Sequence, residues 1–332
     1  MKELPAIVRQ LQREPETPHA LATLVAVEGS SYRRAGARLL VKAQGASLGS
    51  LSGGCLEADV IERAQAVLAN GQAQTVLYDT TEENDLVWGV GLGCQGVIRV
   101  LIERLPGTTA WVGTLQRNFQ MRRETRLQVV WEANDPTRLG TYIAERAATV
   151  TQPVAGMFLD NVAPPTRLLI FGAGDDAQPL ARMAAELGWC VEVRDPRPAF
   201  ATVQRFPTAE AVLAAPPDAA ADVPLDAWSV AIIMSHRYAF DAALLKALLP
   251  RGLRYLGMLG PRKRTERILA ELTAAGMVIS DDARTRLHAP VGLDLGGDTP
   301  ETVALSMLAE IQAVLSGRDA RPLRERRRPI HG

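Results

Sequence analysis

Two short segments near the N-terminus hold most of the side chains that could do chemistry. The first, residues 28–36, supplies hydroxyl and guanidinium groups from Ser30, Ser31, Arg33 and Arg34. The second, residues 49–57, supplies a glycine pair, a thiol and a carboxylate from Gly53, Gly54, Cys55 and Glu57. The apolar residues 39–41 between the two segments are typical of a buried strand, so both segments should be turns. We therefore expect two polar loops that converge on one thiol.

Cys55 is followed by the pattern of a helix. Apolar residues recur at helical spacing and a glycine follows them: Leu56, Val60, Ala64, Val67, Leu68 and Gly71. The pattern predicts that Cys55 lies in the first turn, where unpaired N–H groups and the helix dipole stabilise an anion. A thiol in such a place is a better nucleophile and a better ligand for a soft metal. The alternative is that Cys55 is a small apolar residue packed between a helix and a strand.

A second cysteine lies in a stretch with very few large side chains. Residues 89–96 contain four glycines around Cys94, which suits a loop that wraps closely around a ligand. Together, Cys55 and Cys94 could hold or sulfurate a soft ligand, or form a redox pair. Thirty-eight residues separate them, so they are not a CxxC motif, and a zinc site would have too few ligands here.

Composition limits the class of protein. The chain has 332 residues, enough for two domains, and its 37 basic and 37 acidic residues give a formal net charge of zero. Neither nucleic acid nor an anionic membrane is therefore expected as a partner. Three cysteines suit a reducing compartment. Because no signal peptide and no bilayer-length apolar run is visible, we expect a cytoplasmic protein.

The elements predicted near the N-terminus form an α/β domain over residues 1–105. Apolar periodicity predicts a helix near residues 3–14, and apolar runs predict strands at 21–27, 38–41, 46–51, 74–78 and 97–103. Residues 106–165 lose this pattern apart from an apolar run at 127–131. We interpret them as an extension of the first domain that ends in a proline-containing linker.

Residues 166–316 carry the pattern of a Rossmann-like doubly wound parallel sheet. A strand at 168–171 runs into Gly172-Ala173-Gly174, a helix follows, and a second strand ends at Asp195. In dinucleotide folds such a turn binds the pyrophosphate and such an acid binds the ribose. The predicted fold class is therefore α/β, with an N-terminal α/β domain followed by a Rossmann-like domain. The arginine-rich residues 317–332 predict a disordered tail.

This second domain supports the hypothesis of an NAD(P)-dependent oxidoreductase. The glycine turn and Asp195 would bind the dinucleotide, and His236, at the end of a predicted strand, would act as an acid or base. Basic residues 262–264 at another strand end could hold phosphate, or form a solvated start of a helix. Against this hypothesis, Asp175 and Asp176 follow the turn directly and would repel a pyrophosphate.

Several of these motifs together resemble one family. Residues 27–37, 49–57 and 91–94 resemble the XdhC/CoxI family, the accessory proteins of xanthine dehydrogenases and related molybdenum hydroxylases. The likeness continues at residues 195–197 and 287–294, so it covers most of the chain. It implies a maturation factor that binds molybdenum cofactor (molybdopterin), helps it acquire a terminal sulfido ligand from a cysteine desulfurase, and delivers it to the apo molybdenum hydroxylase.

The resemblance also implies roles for the candidate residues. The phosphate and pterin would be received by the N–H groups of the glycine pair and by the serines and arginines of residues 30–34, with Glu57 in the same site. Cys55 or Cys94 would lie near the metal or relay sulfur. The Rossmann-like domain would close over the ligand or sense a nucleotide, and the chain would form a homodimer. A third hypothesis, a scaffold that holds no ligand, leaves both cysteine loops unexplained.

Overall fold

The computed structural model describes residues 2–29, 31–79, 96–106, 109–144 and 156–327. The chain divides into two compact units, one that extends to Pro164 and one that spans Pro165–Arg326. Two candidate residues, Ser30 and Cys94, lie outside the described ranges. Within those ranges, no helix has the length and apolar character needed to cross a membrane.

The first unit is built from two antiparallel sheets and three helices among its described residues. Its elements are α1 (Glu3–Arg13), β1 (His19–Gly29), β2 (Arg38–Lys42), β3 (Ser47–Gly49), α2 (Glu57–Asn70), β4 (Gln74–Asp79), β5 (Gly96–Leu105), α3 (Ala110–Gln120), β6 (Thr125–Val130), β7 (Gly140–Ile143) and β8 (Met157–Val162). The larger sheet has the strand order β3-β2-β1-β5-β4, and the smaller has the order β7-β6-β8.

Strand β1 lies at the centre of the larger sheet and is covered on both faces. Ala20, Ala22 and Leu24 pack with the apolar side of α2, whereas Leu21 packs with apolar residues of α1 and α3. Side chains of a strand alternate between the two faces of a sheet, so a strand buried on both faces reads as a continuous apolar run. This confirms the strand predicted at residues 21–27.

The segment predicted as an extension belongs to the packed interior of the first unit. The side chain of Arg38, 1% exposed, donates to Asp160 Oδ2 over 2.7 Å and to the carbonyl oxygen of Gly36 over 3.0 Å. The carboxylate of Glu103 accepts from the N–H of Thr141 over 3.0 Å and from its hydroxyl over 2.5 Å. These buried polar contacts join the smaller sheet to the larger one.

The second unit is a six-stranded parallel sheet with helices on both faces. Its elements are β9 (Arg167–Phe171), α4 (Ala177–Glu186), β10 (Cys190–Asp195), β11 (Ala211–Ala214), β12 (Ser229–Ile233), α5 (Tyr238–Leu248), β13 (Leu256–Met258), α6 (Arg262–Ala274), α7 (Asp281–Arg286), β14 (Leu287–His288) and α8 (Pro300–Ser316). The strand order is β11-β10-β9-β12-β13-β14, and every pair is parallel.

The predicted fold class is confirmed, and the strand order locates the edge where ligands would bind. The order reverses between β9 and β12, and open α/β sheets bind ligands at the carboxyl ends of the strands beside such a reversal. Residues 317–327 of the arginine-rich tail are described, Leu323–Glu325 form a 3₁₀ turn, and the disorder of the tail stays a prediction. Local backbone hydrogen bonds after Pro322 hold this turn.

Candidate functional site

The two polar loops of the first unit converge, as the sequence predicts. The ring of Tyr32, in the first loop, lies against Gly53 in the second, where a Cβ atom would be 3.2 Å from the Tyr32 Cε1 atom. The Tyr32 side chain is nevertheless 64% exposed. Sequence reasoning did not single out Tyr32, although an aromatic residue between polar neighbours in a loop is a signal that could have found it.

The second loop is folded around the carboxylate of Glu57. Its Oε1 atom accepts from the Ser50 hydroxyl over 2.9 Å, the Leu51 N–H over 3.0 Å and the Ser52 N–H over 2.9 Å. Its Oε2 atom accepts from the Ser52 hydroxyl over 2.5 Å and the Gly54 N–H over 2.9 Å. Burial alone would raise the pKa of Glu57, but these hydrogen bonds lower it to about 2. The carboxylate is therefore charged at neutral pH.

This arrangement changes the role predicted for the glycine pair. The Gly54 N–H donates to Glu57, and the Gly53 N–H donates to the Ser50 hydroxyl over 3.2 Å. Both donors that the sequence assigned to a cargo phosphate are thus satisfied within the chain. Glu57 faces its own loop with both carboxylate oxygens, and the place in a cofactor site that the resemblance implies for it stays a prediction.

Cys55 is exposed, but it does not lie in the first turn of a helix. Helix α2 begins at Glu57, two residues later, because the preceding loop bends to surround the Glu57 carboxylate. The prediction of a helical thiol is therefore wrong, and so is the alternative of a packed apolar residue. Cys55 is the exposed tip of a loop, and its thiol is accessible to a partner or ligand.

The arginines of the first loop have different environments. Arg33 donates twice to Glu3 Oε1 of helix α1, over 2.9 and 3.0 Å, so it ties the loop to that helix rather than offering its charge to a phosphate. Arg34 is exposed. The Ser31 hydroxyl is buried, without a hydrogen-bond partner among the described residues. Ser30 lies outside the residues that the structure describes, as does the whole Cys94 loop.

The surroundings of Cys55 do not form a three-ligand metal site in the described part of the chain. Within the described residues, no group of three or more His, Cys, Asp or Glu side chains is arranged to hold a metal ion. A thiol is a soft donor and suits a soft metal or a sulfur atom better than it suits Mg²⁺ or Ca²⁺.

In the second unit, Gly172 is required by packing. It has φ +122°, and a Cβ atom would lie 2.4 Å from the carbonyl oxygen of Met234 at the end of the neighbouring strand. A substituted side chain at this position would disturb the sheet whether or not any ligand binds. Gly174 is less restricted by packing. A Cβ atom there would lie 2.6 Å from Oδ1 of the Asp176 side chain and would not meet the backbone of another strand.

Asp195 has both carboxylate oxygens engaged within the chain. Oδ2 accepts from the Ala173 N–H over 2.8 Å and from the Arg197 guanidinium over 2.7 Å. Oδ1 accepts from the Arg197 N–H and Nε, each over 2.8 Å. The side chain is buried, which alone would raise its pKa, but the Arg197 and Ala173 hydrogen bonds bring the pKa below its ordinary value. The carboxylate of Asp195, predicted to bind a ribose, therefore accepts hydrogen bonds from Ala173 and Arg197 of the chain itself.

The two acidic residues after the glycine turn are paired with basic groups. Asp176 Oδ2 lies 2.6 Å from Nε2 of His236, and Asp175 Oδ1 lies 2.8 Å from the guanidinium of Arg205. His236 has φ +57°, a backbone conformation that costs a non-glycine residue about 1 kcal/mol or more. Asp176 and His236 thus come together at the sheet reversal, and their side chains lie over Gly174.

Three further polar groups meet around Glu310 of α8. Its carboxylate accepts from the Tyr255 hydroxyl and, over 2.9 Å, from the Gly292 N–H, and it lies 3.3 Å from Nδ1 of His288. Burial would raise the pKa of Glu310, but the hydrogen bonds from His288, Tyr255 and Gly292 lower it. The ring of His288 also stacks on that of Tyr255. This cluster fastens the segment after β14 to α8.

The basic residues 262–264 begin helix α6, and they differ in their environments. Arg264 pairs with the buried Asp241, whereas Arg262 and Lys263 are exposed. Burial raises the pKa of Asp241 against the effect of its partners Ser235 and Arg264. At least one of the three basic residues therefore stabilises the fold.

These features define a class: a two-unit α/β protein that exposes a thiol on one unit and carries a Rossmann-like sheet with internally satisfied turn residues on the other. Comparison with known proteins gives the family. Residues 12–79 match the XdhC and CoxI family, and residues 168–311 match the XdhC Rossmann domain. The chain belongs to the XdhC and CoxI family, which confirms the resemblance seen in the sequence.

Individual relatives are similar along nearly the whole chain. A Bacillus subtilis (strain 168) protein named as a probable xanthine dehydrogenase subunit is 32% identical over 321 residues, 90% of this chain and 93% of the relative. The Escherichia coli (strain K12) molybdenum cofactor insertion chaperone PaoD is 27% identical over 294 residues, 89% and 82% of the two chains. A crystal structure of a xanthine dehydrogenase from Bacillus halodurans has a TM-score of 0.80 at 30% identity, covering 97% of this chain and 99% of that one.

Proposed function

We propose that this protein is an accessory chaperone that binds molybdenum cofactor, supports its sulfuration and delivers it to a molybdenum hydroxylase of the xanthine dehydrogenase type. Its family, and a relative named as a molybdenum cofactor insertion chaperone, support this role. The observation that carries the proposal is the exposure of Cys55. In the same loop, Gly53 lies against the exposed ring of Tyr32.

The exposed groups of the two loops match the chemistry of this cargo. The Cys55 thiol is a soft donor that can lie near molybdenum or relay sulfur to it. The Tyr32 ring offers an aromatic face to a flat pterin. The exposed Arg34 is suited to a phosphate, because a guanidinium can donate two parallel hydrogen bonds to phosphate oxygens. Arg33 and the glycine N–H groups are engaged elsewhere, so they support the loops instead.

The proposal includes partners and a setting. A cysteine desulfurase would supply the sulfur, and an apo molybdenum hydroxylase would receive the loaded cofactor. We further propose that the chain acts in the cytoplasm as a homodimer. In this scheme the protein carries and modifies a cofactor for another enzyme, and the Rossmann-like unit closes over the cargo or senses a nucleotide.

The NAD(P)-dependent oxidoreductase is the alternative, and one feature favours it. A small apolar cleft, lined by residues that include Phe171, Pro196 and Phe240, lies at the carboxyl edge of the parallel sheet, where open α/β sheets bind ligands. The engaged Asp195 and the Asp176–His236 pair over the glycine turn count against a complete dinucleotide. The chaperone hypothesis therefore has the stronger support.

The test is the molybdopterin content of the protein purified from a host that makes the cofactor. Wild type should carry pterin, Cys55→Ala should lose most of it, and the control Cys190→Ala, altered in the other unit, should keep it. If wild type neither carries nor takes up pterin, the proposal loses its ligand. If Cys55→Ala keeps as much pterin as wild type and a client enzyme is still activated by it, Cys55 is not part of the site.

A further inference from the structure

The loop before α2 concentrates an unusual number of donors on one side chain. Three backbone N–H groups and two hydroxyls point at the two oxygens of Glu57. We propose that Glu57 is the positioning residue for Cys55: its carboxylate holds the loop in the one shape that presents the thiol, and it makes no contact with cargo. The inference rests on the proposed function, which gives the exposed thiol its purpose.

The donor set explains why this position holds a glutamate. An ionised carboxylate only accepts hydrogen bonds, so it satisfies all five donors at once. A glutamine has the same shape, but its NH₂ group would meet another donor at either end of the cluster. An aspartate keeps the charge, but it is one methylene shorter and cannot reach the same donors from the first residue of α2.

Both neighbours of Cys55 in the chain are tied to this cluster. On one side, the Gly54 N–H donates to Glu57 Oε2 over 2.9 Å. On the other, the Leu56 N–H donates over 2.8 Å to the Ser52 hydroxyl, which itself donates to Glu57. Leu56 is buried in the core against α2, so the second attachment is fixed to the body of the unit. The thiol is therefore exposed on a backbone held at both ends.

The backbone of the loop needs this support. Gly53 has φ +83° and Gly54 has φ +120°, and glycine in such conformations has more freedom than any other residue. Without the carboxylate, three N–H groups would lose their acceptor and the two glycines would sample other shapes. With a pKa of about 2, Glu57 stays charged throughout the neutral range, so the loop keeps its shape there.

The same cluster limits where the cargo phosphate can lie. A phosphate would have to displace a carboxylate that belongs to the chain and already satisfies the N–H groups of Leu51, Ser52 and Gly54. We therefore place the phosphate of the proposed cargo away from these N–H groups, so that the loop contributes position alone.

The test measures the thiol itself, in cargo-free full-length protein. Iodoacetamide alkylation, followed peptide by peptide between pH 6 and 10, reports the Cys55 rate, and amide hydrogen exchange reports the loop. Glu57→Gln should change the rate of Cys55 alkylation at a fixed pH about 2-fold or more, because the backbone on both sides of the thiol loses its attachment. It should also raise exchange at residues 51–54 about 10-fold or more. Glu62→Gln, an exposed glutamate later in α2, should change neither measurement.

Two further variants keep the proposal falsifiable. Glu57→Asp keeps the charge but cannot reach the same donors, so it should raise loop exchange and change the Cys55 alkylation rate as Glu57→Gln does. Ser52→Ala removes the hydroxyl that donates to Glu57 and accepts from the Leu56 N–H. It should also raise loop exchange, and it replaces Glu57→Gln in the test if that variant does not fold. A Glu57→Gln protein with wild-type exchange and alkylation, or with a lower melting temperature and nothing else changed, would overturn the proposal. Pterin content of the same preparations tests the carrier function separately.

Discussion

Replacing Asp160 with asparagine should destabilise the first unit by about 3–5 kcal/mol, because it leaves a buried guanidinium without its counter-charge. The Arg38 side chain is 1% exposed and Asp160 Oδ2 lies 2.7 Å from its Nη1 atom. Among the described residues, Nε and Nη2 of Arg38 have no hydrogen-bond partner. In the variant, Arg38 would keep the Gly36 carbonyl and a neutral amide as hydrogen-bond partners, with Glu103 as a nearby acid to which it is not hydrogen-bonded. For a unit of this size the melting temperature should fall by about 6–20 °C.

Urea unfolding followed by circular dichroism and tryptophan fluorescence measures the loss. The double variant Arg38→Met, Asp160→Leu should recover most of it, since removing both partners removes the uncompensated charge. Glu271→Gln breaks the exposed pair with Arg267 and serves as the control, with no measurable change expected. An Asp160→Asn protein within about 1 kcal/mol of wild type would refute the reasoning, because a change that small is ordinary for an exposed site.

Three further predictions concern the second unit. Gly172→Ala should cost about 3 kcal/mol or more, since its Cβ would lie 2.4 Å from the Met234 carbonyl oxygen, whereas Gly276→Ala, with nothing within 4 Å, should cost less; equal urea midpoints would contradict this. Glu310→Gln should be less stable than wild type at pH 7, and the gap should close as the pH falls through and below 4.5, because the folded pKa of Glu310 lies below that ordinary value; a gap that persists unchanged at pH 2.5 would refute the linkage. Micromolar NADH should leave the nicotinamide fluorescence unchanged, and a saturable increase would restore the dinucleotide hypothesis.

Local patterns predicted the elements that place the site. The apolar run of β1, the glycine that ends α2 and the strand–glycine–helix pattern of β9 each act within a few residues, so the sequence displays them directly. Convergence of the two loops also followed from local reasoning, because a short buried strand between two turns leaves them near one another. The contact between the Tyr32 ring and Gly53, which brings the two loops together, is not predicted by these patterns.

Contacts between distant residues were beyond the same reasoning. The Arg38–Asp160 pair joins residues 122 positions apart, and nothing in the sequence near Arg38 indicates its partner. The sequence predicts only that the segment after residue 106 extends the first domain, and β8 of this segment carries Asp160. Cys55 was misplaced for a different reason: the pattern of α2 is continuous through Leu56, and only the hydrogen bonds of Glu57 show where the helix begins.

Both glycine-rich turns that suggested phosphate sites are closed by carboxylates of the chain itself. Glu57 takes the Gly54 N–H in the first unit, and Asp195 takes the Ala173 N–H in the second. Free N–H groups attract any anion, and a side chain of the same protein reaches them at a far higher effective concentration than a ligand in solution. A glycine turn in the sequence therefore indicates an anion site, but it does not show whether a ligand or a carboxylate of the chain occupies that site. On the function proposed above, exposed side chains recognise the cargo, so replacing Cys55, Tyr32 or Arg34 should lower the amount of pterin that the purified protein carries.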